Sequence, residues 1–171
     1  MPSKKKYCLD TSGISNPLEY MPENISLFKE VWVLVRSHIE SGSFAVTREI
    51  YDELCMISPG EICECCKNNK DQLLLEVGDK TWDYTTYIRH VNEMTAKHKA
   101  FISEYNRNIK RTIGLNDVSI VALAKTLGLP VISMEDDSFQ TSAKRMRIPG
   151  LCKIEKVNHL TFNEFLQNEG A

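Results

Sequence analysis

Four acidic residues stand where a folded chain tolerates a carboxylate only for a reason: Asp10 in Tyr-Cys-Leu-Asp-Thr-Ser, Glu53 in Ile-Tyr-Asp-Glu-Leu, Asp117 in Leu-Asn-Asp-Val, and Glu135 in Val-Ile-Ser-Met-Glu-Asp-Asp. Asp10 and Glu135 follow apolar, strand-like stretches, and Asp117 opens an apolar helix. A carboxylate so placed costs folding energy unless a cation or a donor compensates it. In open α/β sheets, ligands gather outside the carboxyl ends of the strands. Converging carboxylates are also the hard oxygen donors that Mg²⁺ or Mn²⁺ prefers. The four acids therefore read as a candidate metal site. Two choices stay open on the residues alone. Glu49 lies one turn before Glu53 on the same helical face, and Asp136, beside Glu135, is its rival or a further ligand.

The elements that must position these acids alternate between strand and helix. Residues 7–10 read as a buried strand, followed by Thr-Ser-Gly and a proline-containing loop through Pro22. Leu27, Phe28, Val31, Trp32, Leu34, Val35, His38 and Ile39 recur at helical spacing, with Ser26 as N-cap and Gly42 as stop. Residues 44–47 make a second strand, and Thr47 caps a helix from Arg48 to about Met56 that Ser-Pro-Gly ends. A short helix over 61–69, a strand over 73–77 and a long, interrupted helical region over 81–111 follow.

The last third is the clearest. Asp117 leads Val-Ser-Ile-Val-Ala-Leu-Ala-Lys-Thr-Leu to Gly128, and Leu-Pro-Val-Ile-Ser makes a buried strand. Beyond a polar, basic loop, residues 151–157 read as a final strand, and Thr161 with Glu164 forms a capping box for a terminal helix. The expected fold class is α/β: one domain over residues 1–171, a three-layer α/β/α arrangement with a mostly parallel sheet of four or five strands.

Composition narrows the partners. The chain has 171 residues, 42% hydrophobic and 26% charged, which is the mix of an ordinary globular domain. No apolar run approaches the roughly 20 residues that span a bilayer, and Met-Pro-Ser-Lys-Lys-Lys leads into no signal-like apolar core. A cytoplasmic protein without membrane attachment is expected. The net charge of −2 offers no global attraction to nucleic acid, so such a partner must meet a local patch. Two stretches supply one: residues 81–111 carry six Lys or Arg against three acids, and residues 144–156 carry five against one.

Taken in order, Leu-Asp-Thr-Ser-Gly, Thr-Arg-Glu-Ile-Tyr-Asp-Glu-Leu, Asn-Asp-Val-Ser-Ile-Val-Ala-Leu-Ala and Gly-Leu-Pro-Val-Ile-Ser-Met-Glu-Asp-Asp resemble the PIN domain of metal-dependent ribonucleases, over nearly the whole chain. The tail Arg-Ile-Pro-Gly-Leu-Cys is similar to that of an uncharacterised bacterial PIN-like subfamily, akin to toxin nucleases of VapBC type. The resemblance implies a PIN-like fold in which Asp10, Glu53, Asp117 and Glu135 are catalytic and hold one or two Mg²⁺ or Mn²⁺ ions. It implies an endoribonuclease that activates water for phosphodiester hydrolysis and leaves a 5′-phosphate. It also implies an RNA substrate, a homodimer, and a toxin role silenced by an antitoxin protein. Two positions depart from the family pattern: Ser12 stands where Asn is commoner, and Glu135 where Asp is commoner, with Asp136 and Asp137 beside it.

Other readings compete. Leu-Asp-Thr-Ser after a first strand also suits an aspartyl-nucleophile phosphohydrolase, but position 12 lacks the second Asp of that motif. A PIN fold without catalysis, serving as an RNA-binding or assembly module, is the non-enzymatic alternative. Cys55, Cys63, Cys65 and Cys66 lack the paired spacing of common zinc sites and read as reduced thiols. His38 falls on an apolar helical stripe and reads as a core residue. Trp32 and Trp82 read as packing residues.

Overall fold

The computed structural model describes residues 4–57, 59–110, 112–135 and 145–171. Within them, β1 (Tyr7–Leu9), β2 (Phe44–Ala45), β3 (Val131–Ile132) and β4 (His159–Leu160) form a four-stranded sheet in the order β2-β1-β3-β4. Every pairing is parallel: Tyr7 registers with Phe44, Cys8 with Val131, and Val131 with His159. Parallel strands need helical crossovers, and these bury the sheet on both faces. After β2 the chain crosses back over β1 to place β3 on its other side. The order thus reverses between β1 and β3, which puts the topological switch point at their carboxyl ends.

Side chains alternate along β1 and sort the helices into layers. The Tyr7 ring lies 5.3 Å from Phe165 and 6.1 Å from His38, which sets α2 (Lys29–Glu40) and α9 (Phe162–Asn168) on one face. Cys8, the next residue, senses Cys152 of α8 (Ile148–Glu155) on the other. On that second face α7 (Leu115–Leu127) packs against β1 and α8, and α6 (Tyr84–Lys97) covers its outside. Residues 118–124 of α7 are all buried, as a helix enclosed by a sheet and two helices must be.

These three helices are also joined through a charge. Glu155, only 6% exposed, accepts hydrogen bonds from Lys97 and Lys125, each at 2.8 Å, and lies 2.6 Å from Nε2 of His98. Burial works against its charge, but the hydrogen bonds outweigh burial and hold the carboxyl at about 2.

Several expected elements form otherwise. Residues 12–20 are a helix, α1 (Ser12–Tyr20), with Pro17 inside it, where a loop was expected. An interior proline costs about 3 kcal/mol, yet Gly13, Ile14 and Pro17 are buried, and that packing outweighs the cost. The expected strand over 73–77 is absent: α5 (Lys70–Leu73) ends there, and an isolated parallel bridge from Val46 to Leu74 is all that forms. Leu73 and Leu74 are buried but Val77 is exposed, so the apolar run turns away from the sheet.

Residues 151–155 belong to α8, which stops at Lys156 in the left-handed backbone, and form no strand, because a short apolar run is ambiguous by periodicity. The strand comes after it, at β4. Of the 81–111 region, the described residues 81–110 resolve into α6, capped by the Asp83 side chain, a 3₁₀ turn over Lys99–Phe101, and a looped segment. Ser26 opens a 3₁₀ turn and caps nothing with its side chain. Thr47 stands at the N-cap of α3 (Arg48–Leu54), but its hydroxyl pairs with Ser119 at 3.1 Å instead. The helix α4 (Glu61–Asn68), the left-handed stops at Gly42 and Gly128, and the Thr161–Glu164 capping box match expectation.

Gly13 is where α1 meets the sheet. A Cβ there would stand 2.9 Å from the Ile132 carbonyl oxygen and 3.1 Å from a Leu9 methyl. Backbone cannot yield as a side-chain tip can. Gly13→Ala is expected to destabilise by about 1–3 kcal/mol, measured by urea unfolding; an unchanged midpoint would mean that α1 does not seat this closely.

Candidate functional site

Asp10 follows β1 directly and is 6% exposed. Its Oδ2 accepts from the Ser12 backbone N–H at 3.0 Å and from the Ser12 hydroxyl. That same hydroxyl oxygen accepts from the Met134 N–H at 3.1 Å, just past β3. Ser12 therefore links Asp10, after β1, to Met134, after β3.

Asp117 lies in the first turn of α7. Its Oδ2 accepts from the Gly114 N–H at 2.8 Å, which fastens the start of the helix. Glu53, on α3, has both oxygens held: one by the Thr11 hydroxyl, the other by Asn116 Nδ2 at 2.5 Å. Glu135 follows β3 and accepts from the Ile148 N–H at the start of α8 at 2.7 Å. Arg147 approaches its other oxygen at 3.6 Å. The structure thus brings acids from four separate segments to one edge.

Their electrostatics follow from that crowding. Burial first, then the charges of Glu135 and Glu53, push Asp10 up to about 6 against the opposing Ser12 hydrogen bonds. Asp117 is pushed up to about 8 by burial, then by Asp10, Glu135 and Glu53, with the Gly114 hydrogen bond opposing. What lowers these two acids is neutral hydrogen bonding, and what raises them is desolvation and other carboxylates.

Of the two candidates on α3, Glu53 is the one whose charge reaches Asp10 and Asp117, while the charge of Glu49 acts on Tyr87. Asp136 lies outside the described residues, as does Lys144 at the start of the second basic stretch and Arg111 at the end of the first. Sequence reading overlooked Asn116 and Arg147. The first adjoins Asp117 and was visible in Leu-Asn-Asp-Val, whereas nothing local marks Arg147 as a neighbour of Glu135.

The donor set suits a hard divalent cation: carboxylate oxygens alone, two of them under raised pKa. As the side chains stand, among the described residues no three His, Cys, Asp or Glu groups are gathered tightly enough to hold an ion. The present partners account for this, since Glu53 is engaged by Thr11 and Asn116, and Glu135 by Ile148 and Arg147. Asp10, Glu53, Asp117 and Glu135 would be the ligands after those two glutamates turn from their donors.

The remaining candidates lie elsewhere. All six cysteines are free thiols, and Cys63 donates to the Cys55 carbonyl at 3.4 Å. His38 is packed between Phe44 and Phe165, with Nε2 3.1 Å from Glu169. Trp32 and Trp82 donate to the Met21 and Glu76 carbonyls, as packing residues do.

Fold and site together define an α/β protein with an all-parallel sheet, flanked by helices and carrying an acid cluster at its topological switch point. The chain belongs to the family described as Domain of unknown function (DUF4411), which matches residues 7–171. No curated protein matches it.

The raised pKa values give stability a definite sign. Asp117 ionises near 3.8 in the unfolded chain and near 8 in the fold, so its contribution is complete below about 4 and is lost as pH rises through about 8. Without metal, Asp117→Asn is therefore expected to match wild type near pH 4 and to exceed it near pH 8 by on the order of 2–4 kcal/mol. Thermal unfolding in EDTA across that range checks it. Added Mn²⁺ at pH 8 should stabilise wild type and leave the variant unmoved; equal pH profiles for the two proteins would show that Asp117 is not crowded.

Proposed function

We propose that this chain is a divalent-metal-dependent endoribonuclease of the PIN type, hydrolysing phosphodiester bonds in RNA. One observation carries the reading: at the carboxyl edge of β1 and β3, Asp10 and Asp117 are both pushed up by desolvation and by the charges of Glu53 and Glu135, and Asp117 by Asp10 as well. An arrangement that unfavourable is retained where a cation compensates it. The family that the chain belongs to carries no assigned activity, so the proposal stands on the acids.

Each residue then has a task. Asp10 and Asp117 supply the fixed anionic floor, placed by β1 and by α7. Ser12 holds the Asp10 carboxylate in one orientation through two hydrogen bonds, and Thr11 and Asn116 keep Glu53 at hand. Arg147 limits the negative charge at Glu135. Mg²⁺ or Mn²⁺, when bound, would activate water and offset charge on the scissile phosphate.

The basic stretches divide in use. Lys97 is committed to Glu155, whereas Lys99, Arg107 and Lys110 are exposed cations that remain for the RNA backbone. We assign the protein to the cytoplasm as a homodimer and as the toxin of a toxin–antitoxin pair, with the antitoxin protein covering the acidic edge. Among the described residues no helix is long and apolar enough to cross a membrane.

Purified protein with Mn²⁺ is expected to cleave RNA to 5′-phosphate products, and Asp10→Asn or Asp117→Asn to reduce the rate at least about 100-fold. Full cleavage by either variant sinks the assignment. RNA binding with no cleavage by wild type in Mg²⁺ or Mn²⁺ would replace it with a non-catalytic RNA-binding module.

A further inference from the structure

The first turn of α7 holds three different groups on three consecutive residues. The Gly114 N–H binds Asp117, the Leu115 N–H binds both oxygens of Glu104 at 3.1 and 3.2 Å, and the Asn116 amide binds Glu53. Two of these partners are members of the acid cluster. The third, Glu104, belongs to the segment between α6 and α7. That segment therefore stands at the shoulder of the cluster.

The segment is a built loop. Ser103 N–H bonds the Ile113 carbonyl at 2.8 Å and closes its ends together. Inside, Asn108 N–H returns to the Ser103 carbonyl at 3.0 Å, Ile109 N–H to Asn106 Oδ1 at 3.2 Å, and the Thr112 hydroxyl to the Phe101 carbonyl. Buried Ile102 and Ile113 anchor it. Two successive residues, Arg107 and Asn108, adopt the left-handed backbone at φ 66° and 56°. Asn tolerates that region; Arg there costs about 1 kcal/mol or more relative to Gly. A cation stands where glycine would be easier on the backbone.

What the loop presents is an aromatic ring among cations. Tyr105 is 48% exposed, and Lys99 Nζ stands 5.7 Å from its ring centroid. Arg107 and Lys110 are exposed nearby in the chain. Glu104 is the one acid between Lys99 and Thr112, and the Leu115 N–H and Ser103 hydroxyl already engage it. An unstacked base on an aromatic face, with cations along the strand's backbone, is how proteins hold single-stranded RNA.

We propose that the loop over residues 102–110 is a single-stranded RNA platform: Tyr105 stacks one base, and Lys99, Arg107 and Lys110 take the flanking phosphates, delivering the strand to the acid cluster. The substrate class is single-stranded RNA, because a base inside a duplex cannot reach the ring. This deepens the ribonuclease reading and rests on it for the choice of RNA.

The test is fluorescence anisotropy with labelled oligouridine, using the full chain carrying Asp117→Asn so that the strand stays intact. Adding Tyr105→Ala should weaken binding roughly 5- to 100-fold and Tyr105→Phe hardly at all. Arg107→Gly should weaken binding and lower the salt slope by about 0.7, while the melting temperature holds or rises. That pairing separates an RNA contact from a structural role. Unchanged affinity in Tyr105→Ala, or a duplex bound as tightly as the single strand, overturns the platform, as does an oligouridine that does not bind at all. If Tyr105→Ala, otherwise wild type, cleaves RNA as wild type does, the platform fails and the nuclease stands. If wild type cleaves nothing while the Tyr105 effect on binding persists, the nuclease fails and the platform stands.

Discussion

The burial of Asp10 between the ends of β1 and β3 is the constraint on which the rest of the structure turns. A carboxylate that is 6% exposed must find donors, and the nearest are the N–H and hydroxyl of Ser12 at the start of α1. Those donors exist only if α1 begins at once after the strand and lies close against β3. Gly13 permits that approach, since any side chain there would meet the Ile132 carbonyl. Met134 N–H then ties β3 to the same Ser12 hydroxyl. One buried acid thus couples the strand pairing, the placement of α1 and the spacing of the two strand ends.

A second junction, the first turn of α7, extends that coupling outward. Its backbone and side-chain donors hold Asp117, Glu104 and Glu53, which belong to three different parts of the chain. The helix behind it is rigid because residues 118–124 are buried on all sides. On the far side, Glu155 draws Lys97, Lys125 and His98 together and closes α6, α7 and α8 into one layer. The two groups of acids show opposite physics. Glu155 is surrounded by cations and held at about 2, whereas Asp117 is surrounded by acids and raised to about 8. The first is a carboxylate satisfied by cations; the second is one raised by burial and by its neighbouring carboxylates.

Some of this was legible in the sequence because it is local. Asp10 after Tyr-Cys-Leu, Asp117 before a wholly apolar helix, Gly128 at a left-handed stop and the Thr161–Glu164 box each state their role within a few residues. The parallel α/β class followed from the same alternation. What misled was equally local. Pro17 suggested a loop, and the apolar runs after Leu73 and Leu151 suggested strands, although burial made one region helical and the other two end or pack as helices. Short apolar runs fit either period, and only a neighbour decides.

The sequence by itself determined which acids could gather, because strand order and helix starts place them at one edge. Only the tertiary structure decided how each is held. Thr11 and Asn116 engage Glu53, Ile148 and Arg147 engage Glu135, and the Leu115 N–H engages Glu104. The reason is physical: a residue's type and its place in an element are written locally, but a hydrogen bond between residues 63 positions apart, as between Glu53 and Asn116, exists only once packing has brought their segments together.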